Sequence, residues 1–161
     1  MIIVLWGVSG CGKTTVGQHL QKDLGWVYLD ADDYHPAANV EKMRQGIPLC
    51  DEDRWPWLDE LAARLRQHEQ AGEHTILSCS ALKQVYRDHL SAGLSNIVFV
   101  QLHGNFEVIK ARLEIRQHEF MSNSLLQSQF DTLEPDPKAW QVHIDQSVAD
   151  ICSSIKQQLK L

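Results

Sequence analysis

Apolar positions along the chain fall into two rhythms. Ile2–Trp6 is an unbroken apolar run closed by Gly7, the pattern of a strand covered on both faces. Over Lys13–Leu24 the apolar residues Val16, Leu20 and Leu24 recur at helical spacing, and Gly25 supplies a stop. The same reasoning predicts strands at 27–30, 75–79, 97–102 and 142–144. It predicts helices at 36–45, 53–71, 83–90, 125–133 and 148–159, with a further one carrying Phe106, Ile109 and Leu113. Short apolar strands alternating with helices predict a parallel sheet in an α/β layer fold. No repeat, low-complexity tract or Pro/Gly/Ser linker interrupts the pattern, so residues 1–161 are expected to form one domain.

Composition narrows the partners. Hydrophobic residues at 43% and charged residues at 22% suit a soluble globular protein, and the net charge of -6 argues against nucleic acid or a membrane surface as a partner. An anionic ligand would have to be drawn in by local basic groups. Cys11, Cys50, Cys79 and Cys152 lie far apart without a CxxC pair, which predicts free thiols and a cytoplasmic setting. The apolar N-terminal run reaches glycine after six residues and has no basic leader, too short for a signal peptide or a span. The eight histidines show no ligand spacing, so no permanent metal site is expected.

Gly7-Val-Ser-Gly-Cys-Gly12-Lys13-Thr14 satisfies G-x-x-x-x-G-K-[ST] directly after a strand and directly before a helix. Glycines let several N–H groups turn inward as an anion cradle, and the helix start adds its positive dipole end. Lys13 is placed to reach the β- and γ-phosphates of a nucleotide, and the Thr14 hydroxyl to ligate magnesium. Cys11, inside the loop near a helix start, is expected to be oxidant-sensitive.

A small-molecule kinase competes here with a nucleotide-dependent switch or motor. No N-K-x-D or D-x-x-G motif occurs, and the strands at 75–79 and 97–102 end without an acid. The acids that do close a strand are Asp30, Asp32 and Asp33. Asp30 and Asp32 alternate on a strand-like period, so one could hold magnesium-bound water while the other accepts a hydroxyl proton. Helix capping is the competing use of such aspartates, and is preferred for Asp33.

Longer segments carry a resemblance. They are Asp30-Ala-Asp-Asp-Tyr-His-Pro36, Asn39-Val-Glu-Lys-Met43, Gly46-Ile-Pro-Leu49, Asp51-Glu-Asp-Arg54 with Pro56-Trp-Leu58, Cys79-Ser-Ala-Leu-Lys83 with Tyr86-Arg-Asp88, and Gln129-Phe-Asp-Thr-Leu-Glu134. With the phosphate loop, they resemble the gluconate kinases, relatives of the shikimate and nucleoside monophosphate kinases. The resemblance implies a three-layer P-loop kinase fold with a five-stranded parallel sheet, a substrate-side helical region at about 35–71 and a mobile lid at about 112–125. It further implies transfer of the ATP γ-phosphoryl group to the 6-hydroxyl of gluconate, a magnesium requirement and a homodimer. A kinase for another small acid such as shikimate, or a nucleotide-binding module without turnover, is the alternative. Two places depart from the family's pattern. Cys50 stands where relatives carry Asn, and Arg116-Gln-His-Glu-Phe120 stands where they read R-x-G-H-F.

Roles follow from motif and resemblance together. Gly7, Val8, Ser9, Gly10, Cys11, Gly12, Lys13, Thr14 and Thr15 are expected to bind ATP, helped by the four-apart lid pair Arg112 and Arg116. Thr14 and Asp30 would arrange the metal, and Lys13, Asp32 and Arg116 would carry catalysis. Asp32, His35, Arg54, Lys83 and Arg87 would bind the acceptor. Lys83 and Arg87 are expected on one helix face from their spacing, and an arginine fork suits a carboxylate. The tryptophans are read as packing residues, with Trp55 or Trp57 lining the substrate side.

Overall fold

A computed structural model describes residues 1–116 and 123–161 of the chain, with the side chain of Arg116 outside the described part. In order, the elements are β1 (Ile2–Trp6), α1 (Lys13–Leu24), β2 (Val27–Asp30), a 3-10 turn (Ala31–Tyr34), α2 (Ala37–Arg44) and α3 (Asp51–Gln70). Then follow β3 (Thr75–Ser78), α4 (Gln84–Ser91), β4 (Ile97–His103), α5 (Phe106–Arg116), α6 (Asn123–Thr132), β5 (Trp140–His143) and α7 (Val148–Leu159). The strands form one parallel sheet in the order β2-β3-β1-β4-β5.

The apolar run read as a two-faced strand sits at the centre of that sheet. Every residue of β1 is buried, and successive side chains feed opposite layers. Ile3 and Leu5 join the cluster built with Val16 and Leu20 of α1, Ile109 of α5 and Ile151 and Ile155 of α7. Ile2, Val4 and Trp6 join the other, with Trp57, Leu58, Leu61 and Leu65 of α3 and Leu90 of α4. Each such side chain is worth roughly 1.5–3 kcal/mol of burial, so the sheet holds both helical layers against it.

Element ends differ from the sequence reading by a few residues, and two of the shifts have visible causes. Helix α3 starts at Asp51 rather than Asp53 because a capping box forms there. Asp53 Oδ2 accepts the Cys50 N–H at 2.9 Å, and the Cys50 thiol lies 3.1 Å from the same oxygen. Lys42 adds an ion pair to Asp53 at 2.8 Å, and these bonds hold its carboxyl far below the usual carboxylate range. Residues 31–34, given no element by the apolar pattern, form the 3-10 turn, opened by the Asp30 side chain accepting the Asp32 N–H at 3.0 Å. No helix among the described residues is long and apolar enough to cross a membrane.

The loop after β1 is wedged against β4. Trp6 pairs with Gln101, which places Gly7 beside Leu102. Gly7 has φ 144°, and a Cβ there would lie 2.7 Å from the Leu102 carbonyl oxygen. Gly12 has φ 98°, but a Cβ there would meet nothing within 4 Å. Gly12→Ala should therefore cost only its left-handed backbone, about 1–2 kcal/mol, whereas Gly7→Ala must also displace main chain of the sheet and should cost more. Urea denaturation of the two variants checks this ranking, and a Gly12→Ala variant less stable than Gly7→Ala would contradict it.

Candidate active site

The carboxyl ends of β1, β2 and β3 open into one cavity of about 340 Å³. Ser9, Gly10, Gly12, Lys13 and Thr14 form one wall. The Lys13 ammonium lies within its own loop, donating to the carbonyls of Gly7 at 3.0 Å and Val8 at 2.9 Å. Those bonds hold the loop curled around a fixed positive charge. Ser78 Oγ donates to the Lys13 carbonyl at 2.9 Å and accepts from Tyr28 Oη at 3.1 Å, so the first turn of α1 is fastened to β3 and β2. Val8 and Cys11 are buried in the core behind the loop, and Thr15 is exposed outside the lining. That burial argues against the expected oxidant sensitivity of Cys11, since a reactive thiol needs solvent access.

Thr14 Oγ1 donates to Asp30 Oδ2 at 3.2 Å. Two hard oxygen donors, one at the start of α1 and one at the end of β2, fit magnesium, which takes one or two protein oxygens and completes its shell with water and phosphate. Asp30 and Asp32 both line the cavity, but not as neighbours on a strand. The strand ends at Asp30, which caps the 3-10 turn, and Asp32 sits inside that turn. The strand-period reading of the pair is corrected accordingly, because an aspartate at a strand end finds a free N–H two residues on.

The lining also includes His35, Arg54 and Trp57 with apolar Met43 and Leu49. Trp57 Nε1 donates to the Ala31 carbonyl at 2.7 Å, and its ring stacks on His35 with centroids 4.1 Å apart. Asn39, buried, donates from Nδ2 to the Asp53 carbonyl at 2.8 Å, which fixes its amide orientation. The same nitrogen lies 3.2 Å from His35 Nδ1, so that ring atom must accept and Nε2 must carry the hydrogen. Burial, and then the charge of Arg54, push His35 down to about 4. His35 is thus a neutral N–H donor on the cavity wall. Cys79 lines the cavity as a thiol that burial pushes up to about 12.

Arg54 Nη1 donates to the Leu49 carbonyl at 2.6 Å and to Tyr86 Oη at 3.1 Å. Tyr86 in turn donates to Asp51, which also accepts from Lys83 at 3.0 Å. The bonds from Tyr86 and Lys83 hold the Asp51 carboxyl below its ordinary range.

Neither Lys83 nor Arg87 is in the cavity lining, and they do not share a helix face. Lys83 is the extended N-cap of α4, so the four-residue spacing does not apply to it. Arg87 is 1% exposed, with its guanidinium 4.0 Å above the Trp6 ring. It donates to the carbonyls of Ala81 at 2.8 Å, Leu82 at 3.1 Å and Glu134 at 2.8 Å. In this structure it shapes the 79–83 loop, where Ala81 has φ 42°. Arg112 donates to the Ile144 carbonyl at 2.7 Å and lies outside the lining as well. Arg116 ends α5 with its side chain outside the described residues, as are Gln117, His118 and Glu119 of the expected lid. Sequence reasoning assigned nothing to Gln129, although it opens a family-like segment. In the structure it lines the cavity and accepts the Ser9 N–H at 2.7 Å.

Among known proteins, the family model described as "AAA domain" matches residues 2–135. A gluconokinase of Arabidopsis thaliana is 47% identical over 84% of this chain and 78% of its own length. The thermosensitive gluconokinase of Escherichia coli K12 is 39% identical over 96% of this chain and 84% of its own. Among solved structures, a sugar kinase from Janibacter sp. superposes with a TM-score of 0.92 at 41% identity, covering 99% of this chain and 94% of that one. A gluconokinase from Sinorhizobium meliloti gives 0.84 at 38% identity, covering 98% and 94%. A shikimate kinase from Aquifex aeolicus, at 0.59 and 18% identity, shares the fold alone.

The His35 geometry has a pH signature. Its folded value of about 4 lies below the ordinary 6.5, so the unfolded chain takes up the proton first as pH falls. The stability tied to the neutral ring should be intact above that ordinary value and decline as pH drops from it toward the folded one. Ring NMR should show an Nε2–H tautomer at neutral pH and a midpoint near about 4. A midpoint at the ordinary histidine value would contradict the neutral donor.

Proposed function

Because the chain belongs to the gluconokinase family, we propose that it phosphorylates gluconate with ATP at the 6-hydroxyl, giving 6-phosphogluconate and ADP. One observation carries this reading: the phosphate loop and a set of hydrogen-bonding groups, Asp32, His35 and Arg54, line a single cavity. The loop amides and Lys13 take the triphosphate, and Arg54 suits the acceptor carboxylate while His35 Nε2–H suits a hydroxyl. The acceptor oxygen forms its bond to the γ-phosphorus as the bond to the ADP oxygen breaks, in line. Asp32 orients the attacking hydroxyl and receives its proton. Thr14 and Asp30 are the residues that would hold magnesium, Asp30 through water. Bound there, the ion would offset charge on the phosphates.

Arg112 and Arg116 belong to the reading as lid cations that offset charge on the transferring group when nucleotide is bound. In that state Arg112 exchanges the Ile144 carbonyl for phosphate oxygen. Arg87 and Lys83 act one step back, Arg87 by shaping the 79–83 loop and Lys83 by holding Asp51 against Tyr86 and hence Arg54. A homodimer in a cytoplasmic setting completes the proposal.

ADP release measured across a panel of sugar acids and shikimate should single out gluconate. Turnover of none of these acids would refute the assignment. Lys13→Met should leave almost no turnover. Asp32→Asn should lower kcat by about 10²–10⁴-fold, the usual worth of a general base, while ATP affinity by calorimetry stays within a few-fold. An Asp32→Asn enzyme of full activity would remove that carboxylate from proton transfer.

A further inference from the structure

Helix α6 reaches the phosphate loop through the Gln129 side chain. The Ser9 main-chain N–H donates to Gln129 Oε1 at 2.7 Å, a contact between residues 120 apart in sequence. A backbone N–H can only donate, so the carboxamide oxygen must face it, and this settles the orientation of the Gln129 amide. Its –NH2 group then branches the other way from the same carbon. Gln129 lines the cavity together with Ser128 and Thr132, and among the described residues its Nε2 has no hydrogen-bond partner. A two-hydrogen donor is thereby fixed at the edge of the phosphate loop.

The support behind it is rigid. The turn after α6 is bound to the 79–83 loop and α4 by three hydrogen bonds of 2.8 Å: Glu134 N–H to the Leu82 carbonyl, Gln84 N–H to Glu134 Oε1, and Arg87 Nη2 to the Glu134 carbonyl. Leu126 of α6 is in the core beside Ile109 and Leu113. The helix is held at both ends of the segment that presents Gln129, which suits a donor that must not reorganise during reaction.

We propose that Gln129 Nε2 donates to an oxygen of the γ-phosphoryl group, making it a phosphoryl-contacting residue beside the Ser9 turn of the loop. This rests on the phosphotransfer reading given above. The ligand chemistry fits, because phosphoryl oxygens only accept and a diphosphate lacks the group in question. The Ser9 bond keeps the donor aimed, and the loop and α6 act as one wall around the transferring group.

Gln129→Glu separates this role from a merely structural one. Glutamate can still accept the Ser9 N–H but offers no –NH2 and sets a negative charge against the phosphoryl oxygens. Its thermal midpoint and magnesium–ADP affinity should match wild type, while its preference for ATP over ADP by calorimetry should fall at least about tenfold. Its kcat on gluconate should fall about 10²-fold or more, the usual effect of losing one transition-state donor. Gln129→Ala should lose less kcat than Gln129→Glu. A latch without a phosphoryl contact would instead be rescued by glutamate, so wild-type kcat and wild-type ATP-over-ADP preference in Gln129→Glu would overturn the proposal. Tighter ATP binding in Gln129→Ala would overturn it too, because it would mark Gln129 as an occupant that nucleotide displaces. Should wild type itself turn over no sugar acid, the reaction assignment fails, and the ATP-to-ADP ratio still decides the contact.

Discussion

The burial of β1 on both faces is the constraint on which the site depends. A strand whose alternate side chains are enclosed by two helical layers cannot shift or tilt without opening both. Its last residue delivers the chain to Gly7, pressed against the Leu102 carbonyl, and the loop that follows is curled around the Lys13 ammonium. The anion site is thus an extension of the core rather than an ornament on the surface. Its backbone has little freedom to lose when a phosphate arrives, which is the physical content of preorganisation.

The His35 and Arg54 part of the cavity lining is organised differently, by polar networks instead of apolar packing. Asn39 bridges the Asp53 carbonyl and His35, and Arg54 is tied through Tyr86 to Asp51 and Lys83. Arg87 is the extreme case, a guanidinium taken out of water onto the face of Trp6. Such a group is tolerated only when its donors are met, and carbonyls of three loop residues meet most of them. Charge in this region fixes shape, and a smaller set of groups is left to touch ligand.

Much of this was legible in the sequence. The apolar rhythm located the strands and helices, because a two-faced strand and an amphipathic helix leave different periodicities. The glycine-rich loop was legible because its motif sat between a strand and a helix, where such a cradle has to be. Lys83 and Arg87 were misplaced because spacing presumes that both residues are already helical, whereas the helix begins after Lys83. Cys11 was misjudged because the motif says nothing about which way a variable loop residue turns. Asp30 and Asp32 were placed in the right crevice on a wrong local geometry, since side-chain capping outcompetes strand extension there. Gln129 was invisible as a phosphate-side residue, because its link to Ser9 spans most of the chain and leaves no local signal.

The strand order β2-β3-β1-β4-β5 has a consequence for biosynthesis. Strand β2 does not pair with β1; the intervening place belongs to β3, which begins 45 residues after Asp30. A nascent polypeptide that has emerged only through the phosphate loop and Asp30 therefore lacks the strand that joins β2 to β1. The two halves of the cavity can join one sheet only once Thr75–Ser78 slots between β2 and β1, and the later Leu102 and Gln129 complete the loop's surroundings. Until then the growing chain carries the whole signature of the loop and none of its grip.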